Sequence, residues 1–170
     1  MKSIRIYMPE TLLDEFRAVS MSRFGYGKGS LSKAAEAAIY KWLSEESYIK
    51  SQIDRIIDTS KNDKNVIATI LFGSYARGEN YQDVDIAILL KQDNIDSTEF
   101  LADYTDPKGL VDISIMNRLP LNVQARVLSE GKLLYCFDKK KMYDYQFAVI
   151  AKWGDFKHRF DRIVAARACL

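Results

Sequence analysis

Two aspartates one residue apart, Asp83 and Asp85, open an apolar run that reaches Ile88. A Gly73-Ser74 pair follows the preceding apolar run, which ends at Phe72. On an extended strand, side chains two apart share a face, so Asp83 and Asp85 point together while Val84 and Ile86 point the other way, toward a core. Carboxylates set side by side repel each other, and a hard cation offsets that repulsion. Magnesium held by one or two carboxylates together with substrate phosphates is the usual arrangement. A third acid comes from residues 110–116, which alternate as a half-buried strand does and place Asp112 on the face opposite Val111, Ile113 and Ile115. If the two strands lie side by side, Asp83, Asp85 and Asp112 hold two Mg2+ ions, a clamp that stabilises the attacking and leaving oxygens of an in-line displacement at phosphorus. Gly73 lets the backbone approach phosphates closely. Ser74 is expected to cap the helix that follows and to offer its hydroxyl to a triphosphate, and Arg77, one turn later, reaches the same anion.

In these residues the chain resembles the minimal nucleotidyltransferases of the DNA polymerase β-like superfamily, whose signature is Gly-Ser, a spacer, Asp-x-Asp and a later strand aspartate. The resemblance runs from about Val66 to the C-terminus and takes in residues 111–120, a strand expected over residues 127–135, and residues 155–157 in the last helix. It implies an α+β domain, a mixed sheet with flanking helices. It also implies Mg2+-dependent transfer of a nucleotide monophosphate, AMP from ATP, to a hydroxyl acceptor, with Asp112 helping to deprotonate that hydroxyl and pyrophosphate leaving. Many members of this family are antitoxins encoded beside a nucleotide-binding helical toxin, and some adenylylate it, so the resemblance implies a helical toxin partner from the same operon. The family usually has ten residues between Gly-Ser and the first aspartate. This chain has eight, residues 75–82, and hence a tighter loop.

The elements ahead of this signature predict a second unit. Residues 2–8 alternate strictly, with Ile4, Ile6 and Met8 on one face and Ser3, Arg5 and Tyr7 on the other, and Pro9 stops the strand. A helix with Leu12, Leu13, Phe16 and Val19 follows, the glycines of residues 24–29 break it, and Ser30 is expected to cap a second helix with a stripe from Leu31 to Leu43. Strand, helix, glycine turn and helix in this order resemble the ribbon-helix-helix DNA-binding domain. A lone short strand has no sheet partner of its own, so it is expected to pair with the same strand of a second chain and make a homodimer. The ribbon then offers Ser3, Arg5 and Tyr7 to base edges of an operator, while Lys28 and Ser30 meet a phosphate at the start of the second helix. The expected domains are residues 1–46, for dimerisation and DNA binding, and residues 47–170, the nucleotidyltransferase. The boundary is expected in the polar stretch 44–51.

The 170 residues carry a net charge of only +2, but the charge is segregated. Lys and Arg number 10 against 8 acids over residues 1–61, 4 against 10 over 62–112, and 11 against 5 over 113–170. Apart from the three site aspartates, acids of the middle segment such as Asp93, Asp96, Glu99, Asp103 and Asp106 read as a solvated loop or helix face. The basic last third suits a triphosphate or an acidic partner. Two cysteines, Cys136 and Cys169, form neither a metal set nor a disulfide framework, which points to a reducing cytoplasm, and the single histidine, His158, excludes a multi-histidine zinc site. No apolar run approaches membrane-spanning length and no signal peptide is visible. Beside the enzyme and antitoxin reading stands an alternative: a DNA-binding transcriptional regulator whose nucleotidyltransferase fold only binds a nucleotide or a protein partner.

Overall fold

The computed structural model describes residues 5–92 and 95–167, the side chains at 155 and 158–167 excepted. The chain divides into two compact units that part between Tyr48 and Ile49.

In the first unit Pro9 stands at the N-cap of α1 (Glu10–Phe24), where its missing N–H costs nothing, and α1 ends at Gly25, with φ of 81°. Helix α2 begins at Ser30 and runs to Asn62. The division between the units thus falls inside the stretch 44–51, which is helical throughout because it holds no glycine or proline to stop the helix. Of the expected strand, residues 5–8 are described and, with Pro9, have no regular structure in this single chain, and residues 2–4 lie outside the described residues.

The second unit is built on a four-stranded mixed sheet in the order β3-β2-β1-β4. Strands β1 (Val66–Phe72) and β2 (Val84–Leu90) pair antiparallel, β1 and β4 (Lys132–Cys136) pair antiparallel, and β2 and β3 (Val111–Ile115) run parallel. Every residue of β1 is buried, as a near-continuous apolar run demands when both faces of the sheet are covered. One face packs Leu71, Val84, Ile86, Ile88, Val111 and Ile115 against Ile49 and Ile56 of α2 and against Phe100 of α4 (Ser97–Ala102). The other packs Ile70, Phe72, Ala87 and Leu89 against Val127 of α5 (Leu121–Glu130) and Met142 and Tyr145 of α6 (Lys139–Arg167). The short α3 (Gly73–Arg77) links β1 to β2.

Residues 127–135 do not form the single strand expected of them. Val127 to Glu130 are the last turn of α5, Gly131 follows, and β4 begins at Lys132. The apolar pairs at 127–128 and 133–134 are compatible with either period, and the amphipathic spacing of Val123 and Val127 against the sheet decides for helix. Asp106 also departs from its expected place in solvent. It is only 5% exposed, and its carboxylate accepts hydrogen bonds from the backbone N–H groups of Lys108 (3.2 Å), Leu110 (2.7 Å) and Val111 (3.1 Å), which fixes the entry into β3. Asp96 caps α4 through the N–H groups of Thr98 and Glu99. Asp93, His158 as a side chain, and Cys169 lie outside what is described.

Candidate active site

The register of the sheet assembles the acids. Phe72, the last residue of β1, pairs with Asp85, so the chain leaves β1 beside the second carboxylate of the Asp-x-Asp pair. Gly73 follows with φ of +77°, and a Cβ built on it would fall 2.0 Å from Asp85 Oδ2 and 3.0 Å from its Cγ. Only glycine permits both that backbone conformation and that approach. Across β2 the parallel register sets Asp112 directly beside Asp85. Val84, Ile86, Val111 and Ile115 point into the core toward α2, so Asp85 and Asp112 emerge on the opposite face, the one covered by α5 and α6. Asp83 immediately precedes β2. It and Asp112 are exposed, and Asp85 is half-buried.

Burial raises the pKa of Asp85 above the ordinary carboxylate value, and the negative charges of Asp83 and Asp112 push it further in the same direction. Arg126 and Arg77 pull it back. The three acids therefore share one electrostatic neighbourhood. Among the described residues no group of three or more His, Cys, Asp or Glu side chains is gathered tightly enough to hold a metal ion. Even so, the donor set is all carboxylate, as hard cations require, and the repulsion borne by Asp85 is what a cation relieves. The residues fit magnesium by chemistry and charge.

The remaining expected residues fall differently. Ser74 does not cap α3: the N-cap position is Phe72, without any side-chain bond, and Ser74 lies inside the first turn, its carbonyl accepting from the N–H of Glu79 at 3.0 Å. Its hydroxyl is consequently not committed to a cap. Arg77 is held between two glutamates, donating from Nε and Nη2 to Glu79 (2.9 and 2.8 Å) and from Nη1 to Glu130 of α5 (3.1 Å). In this structure it braces the turn against α5. Arg126, which the sequence did not single out, is the stronger of the two cations acting on Asp85. Nothing local announces it, since it lies 41 residues beyond Asp85.

Within the first unit Arg5, Tyr7 and Lys28 are exposed, and Ser3 lies outside the described residues. Ser30 is buried, and its hydroxyl turns back to the carbonyls of Gly25 (2.6 Å) and Gly27 (2.7 Å), so it secures the glycine turn rather than facing solvent at the helix start.

A family model described as Polymerase beta, Nucleotidyltransferase matches residues 54–140. No curated protein matches the chain by sequence. Among solved structures, a chain of the tri-AMPylated Shewanella oneidensis HEPN toxin in complex with MNT antitoxin is 20% identical, with a TM-score of 0.54, over 70% of this chain and 98% of that one. The toxin–antitoxin MntA-HepT gives 18% identity and a TM-score of 0.54 over 70% and 98%. A toxin–antitoxin with AMP-PNP gives 18% and 0.52 over 69% and 97%. At such identities the likeness is one of fold.

Proposed function

The chain belongs to the polymerase beta nucleotidyltransferase family, and from that premise we propose that it transfers a nucleotide monophosphate, AMP from ATP, to a hydroxyl of a helical toxin from its own operon, acting as antitoxin and as repressor of their shared promoter. The observation that carries the transfer reading is the close fit of Gly73 to Asp85 beside Asp112, a backbone turn pressed on a row of carboxylates. Asp83, Asp85 and Asp112 would hold magnesium, which when bound neutralises the triphosphate and steadies the departing pyrophosphate. Gly73 and Ser74 cradle the phosphates by backbone approach and hydroxyl. Asp112, exposed at the edge strand, accepts the proton of the attacking hydroxyl. The toxin partner is supported by the solved relatives, which are toxin–antitoxin complexes.

Residues 1–46 form a homodimeric ribbon-helix-helix module in this proposal, with Arg5, Tyr7 and Lys28 toward operator DNA and residues 47–170 as the catalytic domain. The exposed Ile6 and Met8, 56% and 38% accessible in the single chain, support a second chain covering them. A second reading, a regulator that binds nucleotide or toxin without transfer, is favoured by the engagement of Arg77 with its two glutamates. Incubation with magnesium, labelled ATP and the neighbouring gene product separates the two. Label should reach the partner with the wild type and not with Asp83→Ala/Asp85→Ala, which should also lose magnesium-dependent ATP binding. An unlabelled stable complex favours the binding-only reading, and no interaction at all removes the antitoxin role.

A further inference from the structure

If ATP occupies the Gly73–Asp85 corner, its triphosphate needs a cation, and Arg77, the nearest in sequence, is already engaged by three hydrogen bonds to glutamates. Helix α5 supplies another. Val123 and Val127 of α5 pack on the sheet face from which Asp85 emerges. Asn122, Arg126 and Glu130 are spaced four apart and form one ridge beside that packed stripe. The direction of this ridge is fixed at one end, because Glu130 accepts a hydrogen bond from Arg77 of α3 at 3.1 Å. Arg126 lies one turn, roughly 5.4 Å, back along the same ridge. The end of α5 is seated firmly on β1: a Cβ at Gly131 would strike the Val127 carbonyl at 2.3 Å and Ile70 Cγ2 at 2.5 Å. Among the described residues no ion pair occupies the Arg126 guanidinium.

We infer that the Asn122–Arg126–Glu130 ridge of α5 is the third wall of the nucleotide site, in which Arg126 binds the triphosphate and Glu130 positions Arg77 beneath the Gly73-Ser74 turn. This rests on the nucleotide-transfer reading and assigns its anion contact to a residue far along the chain. The field of Arg126 at Asp85 agrees with the direction of the ridge. A guanidinium suits the role because its planar fork can meet two phosphate oxygens at once.

The test is calorimetric titration of the full chain, in magnesium, with a non-hydrolysable ATP analogue and with AMP. Arg126→Gln, which keeps the aliphatic stem and so the fold, should weaken the triphosphate analogue about tenfold or more and leave AMP within about twofold. Arg126→Lys should recover part of the loss. Equal weakening of both ligands, or no weakening of either, overturns the assignment to the triphosphate while leaving nucleotide binding intact. A wild type that binds neither ligand overturns the transfer reading and this inference together.

Discussion

Asp85 sits where three influences meet, and its protonation is the sharpest residue-level consequence of the site. Its pKa is raised by burial first and by Asp83 and Asp112 second, so the folded state holds the proton to higher pH than the unfolded chain, whose value is near the ordinary 3.8. The sign follows from linkage: the associated stability is fully present below that ordinary value and is lost as pH rises through the raised one. At neutral pH the ionised wild type therefore carries a destabilising charge, and Asp85→Asn should melt at a higher temperature in metal-free buffer. The gap should close below pH 4. Thermal denaturation across that range checks it, and identical melting temperatures at pH 7 would show that neither burial nor its neighbours make the Asp85 charge costly. The acids themselves were legible in the sequence because alternation with buried Val84, Ile86, Val111 and Ile115 fixes the face that Asp85 and Asp112 share. Arg126 was not legible, since its relation to Asp85 exists only once α5 has docked on the sheet.

At the level of elements, β3 illustrates how a site depends on a residue outside it. Asp106 receives three backbone N–H groups at the mouth of the strand and so sets the register that puts Asp112 beside Asp85. A slip of one residue would turn Asp112 into the apolar cluster toward α2. Asp106→Ala should cost about 2–3 kcal/mol of unfolding free energy, because at least one buried donor loses its partner. It should also weaken magnesium-dependent nucleotide binding, although Asp106 is not one of the proposed ligands. Urea denaturation alongside nucleotide titration measures both, and a variant with wild-type stability would dismiss the clamp. The sequence gives no means of telling Asp106 from its acidic neighbours, because the difference is burial. The polar stretch 44–51, where the boundary is expected, does hold the division between the units, yet α2 passes through it without interruption because no helix breaker stands there.

For the molecule as a whole, strands β1, β2 and β3 of the second unit follow from apolar patterning read in order, whereas residues 5–9 of the first unit have no regular structure in the single chain. Pairing between two chains is an intermolecular feature, which no contact within one chain can reveal. If residues 1–46 dimerise through it, Ile6→Asp should convert the protein to monomer in sedimentation analysis. Arg5→Ala should keep the dimer and weaken operator binding by about 1–3 kcal/mol, the loss of one base contact. A chain lacking residues 1–46 that still dimerises and still binds the promoter would rule out the ribbon.

The 2.0 Å between an added Cβ at position 73 and Asp85 Oδ2 has a further meaning for how such a site can be inherited. Every other amino acid brings at least that carbon, so there is no conservative replacement for Gly73. Any substitution must turn the carboxylate away from the turn, and under the proposed function it removes the chemistry even where the fold survives. A replacement at this point meets both the strain of a positive φ and the Asp85 carboxylate. Under the proposed function, the use of Asp85 and the glycine at position 73 are one requirement rather than two.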